Sequence, residues 1–284
     1  MTASAPAKLN LGLHVLARRA DGYHDLETVF VPLAWADTLT FGRSDAITLT
    51  CSDDALPTDD TNLVLRAARA LARHAGTEAG AAIHLDKAIP HGAGLGGGSS
   101  DAAATLRALC NLWRLDVPDA DLYALARALG ADVPFFLDPV PTFATGRGDR
   151  LAPLAGVDGD PYALPFPVVV AVPDVRVATA EAYRLVTPRA DGRPDLAALV
   201  RSNDPARWRR ELVNDFEAPV VTLYPPVRAV RQALVDAGAV YVSLTGSGSA
   251  FFGLFDDDAA ALAAAEALRY AGVRVWHGTM EAEG

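Results

Sequence analysis

The chain has 284 residues, of which 51% are hydrophobic and 21% charged, and its formal net charge is −10. This composition indicates one large or two compact globular domains and excludes disordered and fibrous architectures. The acidic surplus argues against a protein that grips nucleic acid, because such binding draws on many Lys and Arg contacts. A small anionic ligand remains compatible with this charge, since a few local positive groups suffice to bind it.

The first residues lack a basic start followed by an apolar core, and no stretch approaches ~20 uninterrupted apolar residues. We therefore expect a cytoplasmic protein without a membrane partner. Cys51 and Cys110 lack the CxxC spacing of a zinc or redox site, so we expect reduced, buried thiols. Only Lys8 and Lys87 are lysines among the 25 basic residues, so a compact charge is expected to matter at Lys8, whereas chance explains Lys87 well.

Alternating and helical patterns predict an α+β protein whose first third is mostly sheet. Strands are predicted over 7–16, 29–35, 37–41, 46–51 and 81–85, and helices over 62–74, 102–113 and 119–129. The Pro- and Gly-rich stretch 139–167 is predicted to cross between two halves. Beyond it we predict strands over 168–172, 241–244, 250–255 and 273–277, and helices over 180–185, 194–200, 226–237 and 257–271.

A glycine-rich loop lies directly before the helix that begins near residue 102. Glycine permits positive φ and close approach to a ligand, so consecutive N–H groups can converge on an anion at the helix N-terminus. A phosphate site is favoured over a flexible surface loop. Gly92, Gly94 and Gly97 satisfy GxGxxG, but Pro90 separates the strand from the glycines and the acidic residue of a dinucleotide fold is not evident. The Walker A and protein-kinase patterns also fail.

Three motifs resemble those of the GHMP small-molecule kinases. The residues of the loop resemble the family's PxGxGLGSS motif: Pro90, His91, Gly92, Ala93, Gly94, Leu95, Gly96, Gly97, Gly98, Ser99 and Ser100. The stretches 6–13 and 244–253 stand where the family places an N-terminal motif and a C-terminal glycine turn. The resemblance implies a two-lobed fold, with an ATP-binding lobe over 1–150, a GHMP-type lobe over 151–284, and the active site in the cleft between them.

Four stretches are similar to one branch of that family, which acts in the non-mevalonate route to isoprenoid precursors. They are the triple glycine 96–98 and the segments 18–24, 130–136 and 214–217. The resemblance implies transfer of the γ-phosphoryl group of ATP, with Mg²⁺, to the 2-hydroxyl of a methylerythritol linked to cytidine diphosphate. The alternatives are a sibling kinase acting on homoserine or a mevalonate-type alcohol, a nicotinamide-dependent oxidoreductase, and a non-catalytic binding protein.

The resemblance also implies roles for single residues. Asp132 is expected to be the catalytic base, although an Asp capping a turn is the plainer interpretation of this residue alone. Lys8 lies on an apolar strand, where an unpaired charge is costly, and by resemblance it lies beside Asp132 and the acceptor hydroxyl. The alternative is a lysine that extends from a strand edge into water.

The substrate residues rest chiefly on the same resemblance. Asn10 shares the strand face of Lys8 and is expected to bind substrate. Tyr23, His24, Thr179 and Tyr183 are similar to the family's cytosine pocket, with aromatic faces for stacking, although ordinary packing would explain each of them alone. Ser99 and Ser100 are expected to cap the helix or reach a phosphate or its Mg²⁺. The ligands of Mg²⁺ remain unassigned.

Overall fold

The structure is a computed structural model that describes residues 1–280, so positions 281–284 of the predicted C-terminal lobe lie outside the described residues. The strands are β1 (Thr2–Arg18), β2 (His24–Ser44), β3 (Ile47–Cys51), β4 (Gly80–Asp86), β5 (Thr142–Gly146), β6 (Arg150–Pro153), β7 (Val168–Val172), β8 (Tyr241–Leu244), β9 (Phe251–Leu254) and β10 (Arg274–Gly278). The helices are α1 (Leu63–Ala75), α2 (Gly97–Trp113), α3 (Asp119–Leu129), α4 (Thr179–Leu185), α5 (Leu196–Arg201), α6 (Pro205–Glu211), α7 (Glu217–Leu223), α8 (Pro225–Asp236) and α9 (Asp258–Tyr270), with a 3₁₀ helix over Val133–Leu137. The predicted α+β class is confirmed.

The chain divides into two compact units that are discontinuous in sequence. The first unit comprises Met1–Ala7, Trp35–His91 and Gly96–Pro139. The second comprises Lys8–Ala34, Gly92–Leu95 and the chain from Val140 onward. The long strands β1 and β2 and the glycine loop each contribute residues to both units. The lobe boundary at residue 150 and the cleft between the lobes stay predictions.

In the first unit, helices pack around a small sheet. The part of β2 over Thr38–Ser44 pairs antiparallel with β4, which pairs parallel with β3. Helix α1 is amphipathic and packs against α2 and α3. Its ends follow the sequence prediction: the Asn62 side chain accepts a hydrogen bond from the N–H of Val64, and Gly76 ends the helix with φ 61°. These contacts hold α2, and with it the end of the glycine loop, in place.

The second unit contains an antiparallel sheet in the order β10-β7-β9-β8, with α8 and α9 packed against it. The residues of β7 are all buried, and accordingly its sequence is an unbroken apolar run. In the same unit, Leu26–Phe30 of β2 pairs with β5, and β5 pairs with β6. Leu13 and Val15 of β1 pack in the hydrophobic core of this unit, together with Phe216, Phe251 and other apolar side chains.

Several element predictions need correction. The strands predicted over 29–35 and 37–41 form one continuous strand, β2, which runs through Ala36 because the Asp37 carboxylate is buried and hydrogen-bonded instead of forming a turn. Helix α2 begins at Gly97, five residues earlier than predicted, because propensity disfavours glycine within a helix while tertiary contacts here override it. The stretch predicted as a crossing, 139–167, contains β5 and β6. Helices α6 and α7 were not predicted.

The structure also bears on the helices and on the two cysteines. Within residues 1–280, none of the helices combines the length and the apolar character that crossing a membrane requires. Cys51 and Cys110 are free thiols, as predicted, but both are only partly buried. Burial raises the pKa of each thiol.

Candidate functional site

The glycine loop owes its shape to residues with positive φ. Gly92, Gly94 and Gly96 have φ of 70°, 84° and 75°, a region that side chains with a Cβ rarely enter. Gly96 is the residue before α2, and its carbonyl accepts the N–H groups of both Ser99 and Ser100 at 3.0 Å. The loop therefore delivers the chain to a helix N-terminus, where backbone N–H groups and the helix dipole favour an anion.

Inside the second unit, the first half of the loop is held by backbone contacts. The N–H of Lys8 donates to the carbonyl of Leu95 at 3.0 Å, and the N–H of Ala250 donates to that of Ala93 at 3.1 Å. Ala93 and Leu95 are buried, so their side chains pack rather than face a ligand. A Cβ on Gly94 would overlap the carbonyl oxygen of Thr245. The glycine turn after β8 therefore lies against this half of the loop.

In the first unit, a buried cluster of charges joins the two flanks of the loop. The Lys87 ammonium group contacts Asp37 and donates to Asp101 Oδ2 at 2.9 Å. Asp37 Oδ1 accepts the N–H groups of Ala88 and Ile89 at 2.7 and 2.8 Å. The side chains of Lys87, Asp37 and Asp101 are 4%, 0% and 3% exposed. Lys87 therefore has a structural role in this buried cluster, so chance does not explain why a lysine stands at this position.

The same cluster explains one of the three consecutive glycines. A Cβ on Gly97 would lie 3.2 Å from the Ile89 side chain, 3.3 Å from Lys87 Nζ and 3.4 Å from an Asp37 oxygen, so any larger residue there would press on the cluster. A Cβ on Gly98 would make only ordinary contact, 3.8 Å from the nearest atom. Burial opposes the charged form of Lys87, but the charges of Asp101 and Asp37 outweigh it, and its pKa is raised. Burial raises the pKa of Asp101 to about 7, although the Lys87 charge opposes this.

The start of α2 fits a phosphate group with its metal. Ser100 Oγ and Asp101 Oδ1 are buried atoms for which the described part of the chain offers no hydrogen-bond partner. Ser99 is half-buried at the same helix end, whereas Pro90 and His91 precede the loop's positive-φ segment, with His91 exposed. No set of three or more metal-ligating side chains occurs among residues 1–280. One hydroxyl and one carboxylate oxygen are compatible with a Mg²⁺ ion whose other ligands are nucleotide phosphates and water.

Lys8 and Asn10 project from β1 into a polar network of the second unit. The Lys8 ammonium group donates to Asn10 Oδ1 at 2.6 Å and to the carbonyl of Gly94 at 2.8 Å, and it lies 5.4 Å from the centroid of the Phe30 ring. Lys8 is only 3% exposed, so it does not extend from a strand edge into water. The Asn10 amide group donates to Thr28 Oγ1 at 2.9 Å.

Asp132 lies in the first unit, directly before the 3₁₀ helix that starts at Val133. Its backbone has φ −82° and ψ −17°, and its side chain makes no capping hydrogen bond to that helix. Helix capping therefore does not account for this carboxylate. Its role as a base and its placement beside Lys8 stay predictions.

The four predicted cytosine-pocket residues all belong to the second unit. The rings of His24 and Tyr183 stack, with centroids 4.6 Å apart and planes inclined by 21°. Burial, followed by the charge of Arg18, lowers the pKa of His24, so the imidazole is neutral at pH 7. Thr179 Oγ1 lies 3.1 Å from Ser247 Oγ.

Tyr23 is an exposed member of this group, at 55%. The guanidinium carbon of Arg147 lies 4.9 Å from the centroid of its ring, within the range of a cation–π contact. Asp149 holds that guanidinium group through two hydrogen bonds. The contact of Arg147 with Tyr23 was not predicted from the sequence, because nothing in the pattern of residues 146–148 indicates which ring this arginine meets.

Comparisons with known proteins show the family of the chain. The family description "GHMP kinases N terminal domain" matches residues 62–138, and "GHMP kinases C terminal" matches residues 196–274. The chain is 55% identical, over 93% of both chains, to the 4-diphosphocytidyl-2-C-methyl-D-erythritol kinase of Salinibacter ruber. It is 50% identical to the enzyme of that name from Chlorobaculum tepidum, over 93% of this chain and 92% of that one.

Among solved structures, a crystal structure of 4-(cytidine 5'-diphospho)-2C-methyl-D-erythritol kinase matches with a TM-score of 0.80 and 44% identity over 98% of both chains. By these similarities, the chain belongs to the GHMP kinases and, within them, to the family of 4-diphosphocytidyl-2-C-methyl-D-erythritol kinases.

Proposed function

We propose that the chain transfers the γ-phosphoryl group of ATP to the 2-hydroxyl of 4-diphosphocytidyl-2-C-methyl-D-erythritol, a step of the non-mevalonate route to isoprenoid precursors. The observation that carries the proposal is the buried ammonium group of Lys8, which is tied at once to the glycine loop at Gly94 and to Asn10. A fixed positive charge at a phosphate loop is what phosphoryl transfer requires, and the 55% identity to a kinase of this name indicates the acceptor.

The chain's contribution to this reaction is positioning and charge. The bond from the acceptor oxygen to the γ-phosphorus forms while the bond to the bridging β,γ-oxygen breaks, so that ADP leaves. Residues 92–98 and the first turn of α2 hold the phosphates through backbone N–H groups, and the Ser99 and Ser100 hydroxyl groups are available to their oxygens. Asp132 accepts the proton of the acceptor hydroxyl, and Lys8 stabilises the negative charge that develops on its oxygen.

Mg²⁺ is the second group that this function implies. When bound with ATP, it neutralises charge on the phosphates during transfer. The side chains available to it at the start of α2 are Ser100 and Asp101, each with an unpartnered buried oxygen within the described residues.

The cytidine group is expected at the aromatic residues of the second unit. Tyr183 and Tyr23 offer ring faces for stacking, and a neutral His24 can both donate and accept hydrogen bonds at a base edge. Asn10 and Thr179 supply further polar contacts to the acceptor. Because His24 and Tyr183 already stack on each other, base binding would exploit a preordered pair of rings.

The test is ADP release from Mg²⁺-ATP with a panel of acceptors: 4-diphosphocytidyl-2-C-methyl-D-erythritol, methylerythritol phosphate, homoserine and mevalonate. We expect release with the first only, and inhibition of it by CDP. Release with another acceptor alone would replace the substrate and discard the cytosine pocket. Absence of release throughout, with tight NADH binding, would support the oxidoreductase reading of the glycine loop instead.

A further inference from the structure

Asn214 is a buried residue to which the proposed reaction assigns no role, and it lies at the centre of the second unit. It is 1% exposed. Its backbone forms a parallel bridge with Leu13 of β1, flanked by hydrogen bonds from the Leu13 N–H to the Val213 carbonyl and from the Asp215 N–H to the Leu13 carbonyl, both 2.9 Å. Asn214 is therefore anchored to the strand that carries Lys8 and Asn10.

The Asn214 side chain grips the glycine turn that follows β8. Its amide nitrogen donates to the carbonyl groups of Leu244 and Gly246 at 2.8 and 2.9 Å, and its amide oxygen accepts the N–H of Phe216 at 3.0 Å. Both amide hydrogens are used, and the two carbonyl partners fix which end of the amide is nitrogen. An aspartate here would place an oxygen against two carbonyl oxygens.

The 244–246 turn, in its place, contacts Asn10 and Lys8. The N–H of Gly246 donates to Asn10 Oδ1 at 2.8 Å, and the same oxygen accepts the Lys8 ammonium group. A Cβ on Gly246 would lie 3.0 Å from the Gly94 carbonyl oxygen and 3.4 Å from Lys8 Nζ, so the turn packs closely against both. A displacement of this turn must therefore displace Asn10, Lys8 or both.

We propose that Asn214 is a positioning residue for phosphoryl transfer: by clamping the 244–246 turn, it fixes the Asn10 side chain and thereby the Lys8 ammonium group. The proposal rests on the proposed function. Asn214 is 1% exposed and its amide hydrogens bind protein carbonyls, so we expect no direct contact with nucleotide or acceptor; its removal should lower kcat and leave the KM for ATP nearly unchanged. A small misplacement of a charge at the reacting centre costs up to ~100-fold in rate.

The sharpest readout uses the fact that Lys8 and Lys87 are the only lysines in the chain. Protein labelled with ¹³C at lysine Cε gives one signal from each, and Lys8→Arg assigns them. In Asn214→Ala we expect the Lys8 signal to shift or broaden while that of Lys87, in the other unit, is unchanged. This measurement needs no substrate, so it stands even where the acceptor assignment fails.

Kinetics give the second readout, with Asn111→Ala as the matched control, since Asn111 is exposed on α2. For Asn214→Ala we expect kcat to fall roughly 10–100-fold, with the KM for ATP within about twofold of wild type. Asn214→Ser, which keeps one hydroxyl donor, should recover part of kcat and serves where the alanine variant does not fold. An unmoved Lys8 signal, equal shifts of both lysines, or kinetics like those of the control would overturn the proposal.

Discussion

The buried charge cluster at the flanks of the glycine loop makes Lys87 the most informative target for a stability measurement. Lys87→Met keeps the length and apolar volume of the side chain but removes its charge. Asp37 and Asp101, 0% and 3% exposed, would then face each other without a cation. Breaking a buried ion pair by removing one partner costs about 3–5 kcal/mol, because an uncompensated charge stays buried.

This cost translates into a measurable change in Tm. At ~2.1 cal/mol/K per residue, the unfolding entropy of 284 residues is about 0.6 kcal/mol/K, so Tm should fall by about 5–8 °C. The assay is thermal unfolding at pH 8 followed by circular dichroism, with urea unfolding for the free energy. The loss should shrink at pH 6, because Asp101, whose pKa is already about 7 beside Lys87, then takes up a proton.

Two variants make the test specific. Arg107→Met removes a cation from an exposed pair with Asp119 in the same unit and should cost less than about 1 kcal/mol. Adding Asp101→Asn to Lys87→Met removes one of the two stranded carboxylates and should restore part of the stability. A Tm loss for Lys87→Met no larger than that of the Arg107 control would refute the reasoning.

Four further outcomes are expected. Asp132→Asn should lower kcat by ~10²–10⁴ with unchanged unfolding, as expected for a positioned base, and near-normal turnover would remove it from that role. Lys8→Arg should lower kcat in the same assay, because a planar guanidinium group cannot reproduce a compact ammonium held by two oxygens. Gly94→Ala should raise the KM for ATP or prevent folding, since its φ is 84° and its Cβ would overlap the Thr245 carbonyl; wild-type KM would contradict this. Because folding raises the pKa of the Asp101 carboxyl, the folded state binds more protons than the unfolded state between about pH 4 and 7, and the free energy of unfolding falls as pH rises through that window. Asp101→Asn should make this pH dependence flatter, as measured by urea unfolding at pH 5 and pH 8.

Local patterns in the sequence were sufficient for much of the fold. Helix α3 has the predicted bounds, and α1 begins and ends where its Asn62 cap and Gly76 predict, because capping and helical periodicity act over a few residues. The motif from Pro90 to Ser100 indicated the family, which the comparisons confirm, whereas phosphate binding by this loop stays a prediction. The continuity of β2 across Ala36 was not predicted, because the neighbouring Asp37 is of a residue type common in turns, and its burial and its partners depend on the tertiary fold.

Tertiary structure decided how the site is held together. Asn10 Oδ1 and the N–H of Gly246 lie 236 positions apart in sequence, and Asp37 and Ile89 lie 52 apart. No periodicity or spacing rule links residues over such distances, so the clamp of Asn214 and the Lys87 cluster carried no readable pattern. What the sequence by itself determined was the family and the local elements, together with a prediction of the residues that carry phosphoryl transfer. The partners that orient them depend on which distant segments the fold brings within hydrogen-bond distance.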